Sequence, residues 1–377
     1  VTKFLLTGDN HLGKSQDLGR VPGERLAEQE AVWAATLALA RERQVDAVIH
    51  AGDLFDGRRP GPDVMLAAER PLVEHQVKGG ATVYVIAGNH DVPSQDGACG
   101  LDVLAEAGLI ELAREPHTWT VGDVDVCALP WTPVSRLVAA NDGGDRTEIS
   151  ALAADLLLET ARGMKNQDRT QILLGHWSVS QTSLPNGLDV GTLGGVVLPM
   201  DHLKEIGFDH IIFGHIHLAA NYEGDFVYVG SPQPLDFGEG GSRHGVWILD
   251  ADVAAAGDPY QPEFVPLASR SFVTLERGVD LAALPPLDGS FVKVRATLTV
   301  DDHRRFDVAA CRERLEQHGA YSVTFDLTVE REHRDRGHVL VDGQTRLEQL
   351  AAYLAATGTN GSVGAAMLAK AEELIST

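Results

Sequence analysis

The run Asp209-His210-Ile211-Ile212-Phe213-Gly214-His215-Ile216-His217 decides how the rest of the chain is read. Its apolar residues predict a short buried strand that ends at the glycine. His215 and His217 then stand i, i+2 on one piece of backbone, a spacing that lets two imidazoles serve a pair of adjacent metal ions. Histidines also end ordinary strands, so the pair gains its meaning from what precedes it.

Working outward, Thr170 to Gly175 is another apolar run and ends in His176. Ala81 to Ile86 leads into Ala87-Gly88-Asn89-His90-Asp91, and Asp46 to His50 leads into Ala51-Gly52-Asp53-Leu54-Phe55-Asp56-Gly57. At the start, Lys3 to Thr7 leads into Gly8-Asp9-Asn10-His11-Leu12-Gly13, where Asp9 and His11 repeat the i, i+2 relation. Each cluster alone reads as a turn, since Gly, Asn and Asp tolerate left-handed backbone. In succession, they deliver oxygen and nitrogen donors to one sheet edge. Amphipathic helices are predicted at Glu24 to Glu42 and at roughly Val64 to Gln76. Strand, helix, strand is the parallel unit of an α/β fold, which binds ligands beyond the carboxyl ends of its strands.

Composition sets outer bounds. A chain of 377 residues with 44% hydrophobic and 23% charged residues supports one large core plus a smaller appended domain. Val1 leads into Phe4-Leu5-Leu6 without a basic region or cleavage site, and no apolar run is long enough to cross a bilayer. Cys99, Cys127 and Cys311 are far apart and odd in number, which favours free thiols in a reducing cytoplasm. The formal charge of -23 disfavours a polyanionic partner in general. Between Pro266 and Leu340, however, 11 basic residues face 12 acidic ones, so nearly all the excess negative charge lies elsewhere.

The remaining chain carries fewer signals. Val121 to Pro130 reads as a hairpin-type strand pair, Asp142 to Thr147 as a polar loop and Ile149 to Met164 as a helix. The glycines of Gln181 to Val197 suggest a loop beside the site. Strands follow at Phe226 to Val229 and His244 to Asp250, and Ala254 to Pro259 closes a first domain spanning 1–265. From Ser269 the pattern becomes strand (271–276), strand (291–300), helix (307–318), strand (321–329), a small α+β domain over 266–337. Two short amphipathic helices, 344–356 and 363–375, fill the last segment, 338–377; an end so weakly tied to the core often docks a partner.

Collected, the donors are Asp9, His11, Asp53, Asn89, His176, His215 and His217. Two carboxylates, an amide and four imidazoles without thiolates suit Mn²⁺ or a similar borderline divalent ion. Seven exceed what one ion uses, whereas two ions about 3.5 to 4 Å apart match sites that cleave phosphoesters. Asp53, alone on a middle strand, is the natural bridge. His90 is adjacent and spare, suited to donate a proton to a leaving oxygen near neutral pH. Asp56 is expected to accept a hydrogen bond from His90 and fix its tautomer. Ser231, Gln233 and Arg243 are candidate substrate contacts.

The ordered set GDNHLG (8–13), GDLFDG (52–57), GNHD (88–91), GHWS (175–178) and FGHIH (213–217) resembles the calcineurin-like metallophosphoesterases over residues 1 to about 265. DNHLG (9–13) and GSPQPLDFGE (230–239) are similar to the SbcD branch, nuclease subunits that work with an SMC-like coiled-coil ATPase, SbcC. The resemblance implies a helix-flanked β-sandwich with an α+β capping domain and C-terminal helices that bind the ATPase. It implies one Mn²⁺ held by Asp9, His11 and His217, a second held by Asn89, His176 and His215, Asp53 between them, and His90 stabilising the transition state. It further implies a DNA nuclease of repair and recombination, exonucleolytic on double-stranded ends and endonucleolytic on single strands or hairpins, as a homodimer within a heterotetramer. A phosphodiesterase of small nucleotides and a DNA-end-binding scaffold for an ATPase are the other readings; the intact donor set disfavours the scaffold.

Overall fold

The computed structural model describes residues 2–92, 97–137, 145–166, 168–180, 182, 195–222, 225–251, 262–276, 286–330, 345–356, 358–359 and 361–375. The chain divides into two compact units: Val1–Arg295 with Asp307–Asp326, and Ala296–Phe306 with Leu327–Thr377.

The first unit is built on two six-stranded sheets. One runs, in spatial order, Glu263–Pro266, Gly245–Asp250, Lys3–Thr7, Ala47–His50, Thr82–Ile86 and Glu111–Ala113. The other runs Ala220–Tyr222, Phe226–Tyr228, His210–Phe213, Thr170–Gly175, Val124–Leu129 and His117–Val121. The central strands pair in parallel, as strand-helix-strand units require, and antiparallel strands close three of the four edges, while Glu111–Ala113 pairs in parallel at the fourth.

Alternation within each strand assigns its two faces. Phe4 and Leu6 turn inward with Ile49, Ile172, Leu174, Ile212, Val227 and Trp247, forming the core between the sheets. Leu5 and Val48 turn outward onto Trp33, Leu37, Ala68 and Leu72, from helices Glu24–Glu42 and Pro62–Val77. On the opposite outer face, Leu173, Ile211 and Phe213 pack against Ala153, Leu157, Leu158 and Ala161 of helix Arg146–Met164. Burial on both faces is why these strands read as continuous apolar runs. The registers Thr7 with His50, His50 with Val85, and Phe213 with Gly175 bring the carboxyl ends of neighbouring strands level, so their following loops share one edge.

Two local expectations change. The hairpin begins earlier, at His117, and turns at Gly122 and Asp123, because Gly122 supplies a left-handed φ of 55°. Arg146 and Thr147 belong to a helix rather than a loop. Residues 183–194 of the expected loop and the domain end at 254–259 lie outside the described residues, as does the end of segment 266–337 from 331 on.

Strands Phe272–Glu276, Phe291–Leu298 and Ser322–Val329 form a three-stranded sheet in that order. In the first unit, Leu275, Val292, Val294 and Val323 pack with Leu315 of helix Val308–Gln317, while Phe272, Phe291 and Tyr321 pack with Leu18 and Phe237. The second unit contains helices Val300–Arg305, Arg346–Ala356 and Ser362–Ile375. No helix among the described residues is long and apolar enough to cross a membrane.

Candidate metal centre

The five ligand-bearing loops leave their strands at one edge, and several bend sharply there. Asp9 (φ 49°), His11 (46°), Asp53 (56°) and His215 (80°) all occupy left-handed backbone, at about 1–3 kcal/mol each for a non-glycine residue. Main-chain bonds offset that strain: Asp9 N–H to Gly52 O (2.9 Å), His11 N–H to Asp53 O (3.1 Å) and Leu12 N–H to Leu54 O (2.9 Å) tie the first two loops together. The His215 amide donates to Asp9 Oδ1 at 3.0 Å. Glycine is required where backbones meet: a Cβ on Gly88 would lie 2.2 Å from Asp53 Oδ1, and one on Gly214 would lie 2.3 Å from Ala51 O.

All seven expected donors come together. Asp9, His11 and His217 form one group whose donor atoms lie within 4.8 Å of one another, and Asp9, Asp53 and His176 form a second. His11 Nε2 is 3.6 Å, and His176 Nε2 3.2 Å, from Asp53 Oδ2. Asn89 Oδ1 lies 3.1 Å from His176 Nε2 and 2.9 Å from His215 Nδ1. The same Asp53 oxygen is therefore near both His11 and His176. His90 completes a third group with His11 and Asp53, and its amide donates to Asp53 Oδ1 at 2.7 Å.

The imidazoles are oriented from behind. His176 Nδ1–H donates to Ala51 O (2.7 Å), and His217 Nδ1 lies 2.7 Å from Glu239 Oε1, which leaves Nε2 as the ring nitrogen not held from behind in each. The Asp56 expectation needs correction. His90 Nδ1–H donates to the main-chain oxygen of Asp56 at 2.8 Å, whereas the Asp56 carboxylate lies 3.2 Å from His11 Nδ1 and 3.5 Å from Lys14 Nζ. The turn made by Asp56 N–H on Leu12 O aims the side chain back at the first loop.

Two of the three candidate substrate contacts are covered. Ser231 and Gln233 are 0% exposed, inaccessible to an incoming molecule; Ser231 Oγ lies 3.1 Å from His244 Nδ1 and 3.4 Å from Glu239 Oε2. Arg243 is exposed and places its guanidinium 4.4 Å from the Phe264 ring centre, stacked on that edge strand.

Burial and mutual charge set the protonation tendencies of the cluster. Burial raises the Asp9 carboxyl. Burial would raise Asp53 as well, but the charges of His176, His11 and His90 and the hydrogen bond from His176 hold it below the usual range. Against burial, Asp53 lifts His176 to about 9, while burial and the His176 charge push His215 down to about 3. Two donor atoms, Asp9 Oδ2 and His11 Nε2, are buried with no hydrogen-bond partner. Unpaired buried lone pairs are costly in a polar cluster, and a divalent cation would satisfy both. Carboxylates, an amide oxygen and imidazoles without thiolates fit such an ion.

Residues 2–219 match the calcineurin-like phosphoesterase domain. The chain belongs to the calcineurin-like phosphoesterase family. Among curated members, the SbcD component of the nuclease SbcCD of Rhodobacter capsulatus is 28% identical over 294 residues, 70% of this chain and 69% of that protein. The DNA double-strand break repair protein Mre11 of Haloferax volcanii is 34% identical over 203 residues, 50% of this chain and 44% of that protein. A dimetal phosphatase from Danio rerio superposes at a TM-score of 0.35 with 10% identity, over 66% of this chain and 92% of that one, too loosely to carry an argument. Members of this phosphoesterase family use divalent metals, in keeping with the donor cluster.

Three supporting residues were not legible as such. Asp91 accepts from the amides of Asp53, Gly88 and Phe55, at 2.8, 3.0 and 3.2 Å. His50 Nδ1 accepts from Gly52 N–H at 3.2 Å, and its Nε2–H donates to Asn10 Oδ1 at 2.9 Å, steadying the first loop. Glu239 meets His217. Asp91 and Glu239 both lie within the motifs at 88–91 and 230–239, but spacing alone does not say where a carboxylate points.

Proposed function

We propose that this phosphoesterase is a Mn²⁺-dependent DNA nuclease that hydrolyses phosphodiester bonds at a two-cation site, acting on double-stranded ends and on single strands or hairpins in repair and recombination. Asp9, His11 and His217 would hold one cation, and Asn89, His176 and His215 the other, with Asp53 shared. The observation that carries this reading is the pair of donor groups that have Asp9 in common, with Asp53 Oδ2 within 3.6 Å of His11 and 3.2 Å of His176. Similarity to relatives named as a nuclease component and a break-repair protein supports DNA as the substrate.

Bound divalent cations supply Lewis acidity toward phosphoryl oxygens and lower the pKa of water. The chain supplies geometry and a proton. His90 is half-buried beside Asp53, and its Nδ1–H is committed to Asp56 O, so Nε2 is the nitrogen that carries the exchangeable proton to the leaving oxygen. Asp56 orients His11 through Nδ1.

Segment 266–337 would act as a capping domain. Segment 338–377 would dock an SbcC-like coiled-coil ATPase within a heterotetramer containing two copies of this chain. Exposed Val363, Met367, Leu374 and Ile375 on its last helix support the docking role. The charge of -23 favours one competitor, a phosphodiesterase of small nucleotides.

The test is to incubate the Mn²⁺-loaded full chain with linear duplex DNA, hairpin DNA, bis-p-nitrophenyl phosphate and cyclic nucleotides. Cleavage of both DNAs, lost in His90→Gln while Mn²⁺ and DNA binding persist, is expected. Turnover of cyclic nucleotides with inert DNA would replace this reading with the competitor.

A further inference from the structure

Glu239 belongs to none of the donor groups, yet it is 7% exposed and its two oxygens are fully engaged. Oε1 faces His217 Nδ1 at 2.7 Å, while Oε2 accepts the Leu235 amide at 2.9 Å and lies 3.4 Å from Ser231 Oγ. A carboxylate can only accept here, so the hydrogen of His217 sits on Nδ1 and the lone pair on Nε2. His176 receives the same orientation from a rigid main-chain carbonyl. For His217 the acceptor is a side chain on a short turn, Phe237–Glu239.

That turn is clamped on several sides. The edge of Phe237 meets Phe272 with ring centres 5.0 Å apart, and Lys293 Nζ lies 4.2 Å from the Phe237 ring centre. Just upstream, Arg25 donates to Pro234 O at 2.7 Å and Ser15 Oγ–H to Leu235 O at 3.0 Å. The acceptor for a cation-site histidine thus hangs on a segment held by the aromatic cluster of Phe272 and Phe291.

We propose that Glu239 is the positioning residue that presents His217 Nε2 to the cation, and that Phe237, by anchoring the turn, makes cation affinity depend on packing around Phe272. This rests on reading Asp9, His11 and His217 as cation ligands.

The experiment is isothermal titration of MnCl₂ into the metal-stripped full chain, with thermal melts of each cation-free variant as a folding control. Glu239→Ala is expected to weaken one class of site by roughly 10- to 100-fold, the range for removing a partner behind a metal ligand. Glu239→Gln keeps the shape and one acceptor oxygen and should fall between wild type and Glu239→Ala. Phe237→Ala should weaken the same site by about 3- to 10-fold, a smaller effect because the carboxylate remains. In a His217→Ala background, Glu239→Ala should add nothing, whereas a merely structural role would add its full effect again.

Unchanged affinity in both Glu239 variants, or an undiminished effect in the His217→Ala background, would overturn the assignment while leaving the ligand set standing. Unchanged affinity in Phe237→Ala would remove the packing dependence. A wild-type chain that binds no Mn²⁺ would instead overturn the ligand reading itself, and Glu239's role with it.

Discussion

Replacing Asp91 asks whether the ligand loops are held from behind by one carboxylate. That carboxylate is 1% exposed and accepts three amides, all from the turns that carry Asp53 and Asn89. Alanine would leave three buried N–H groups without an acceptor, at about 1–3 kcal/mol apiece. Local relaxation and entry of water keep the total near the low end, so Asp91→Ala should lose about 4 kcal/mol, a large share of a typical domain's stability. Asp91→Asn, with its amide oxygen where Oδ2 stood, keeps the Asp53 and Gly88 bonds and sets an NH₂ against Phe55 N–H, losing about 1–2 kcal/mol. Burial and the neighbouring Asp53 carboxylate raise Asp91 to about 7, so both comparisons belong at pH 8, where its ionised form is the reference. Urea denaturation of the cation-free full chain, followed by tryptophan fluorescence and far-ultraviolet circular dichroism, gives the midpoints. An Asp91→Ala midpoint equal to wild type, or an asparagine variant less stable than the alanine variant, would refute the reasoning.

Three further outcomes are expected. Adding Mn²⁺ at one hundred times its Kd should stabilise the chelator-stripped chain by about 2.7 kcal/mol per site, and Asp53→Asn should lose most of that gain; identical melts with and without cation would count against a cation site. Arg58 and Arg59 are exposed two and three residues beyond Asp56. If they meet DNA phosphates, changing both to alanine raises KM for duplex DNA and flattens its log–log salt dependence by about 1.8, sparing bis-p-nitrophenyl phosphate; an unchanged salt slope would place the DNA elsewhere. Burial lowers the pKa of His210 below its ordinary 6.5. The folded chain then binds fewer protons than the unfolded one below pH 6.5, and stability falls with acidification by at most about 1.4 kcal/mol per pH unit from this group. His210→Gln should flatten urea midpoints between pH 6.5 and 5, and an equal slope would remove His210 as a source.

The sequence alone determined the parallel α/β strands, the main helices and the placing of seven candidate donors at strand ends. These features are local: an apolar run of four to six residues makes a strand wherever both faces are covered, and a donor placed at its carboxyl end stays there in any parallel sheet. The start of the hairpin at His117 was hidden because its alternation is mostly exposed and weak. What only the tertiary structure decided is which side chain faces which. Asp56 is three residues from Asp53, yet its carboxylate turns to His11 and Lys14 while its carbonyl serves His90. Ser231 and Gln233 lie beneath the surface, and Ser231 Oγ is turned to the Glu239 carboxylate that faces His217. Side-chain direction in a loop depends on φ angles such as those of Asp9, Asp53 and His215, which long-range hydrogen bonds hold in a strained region that no local propensity would choose.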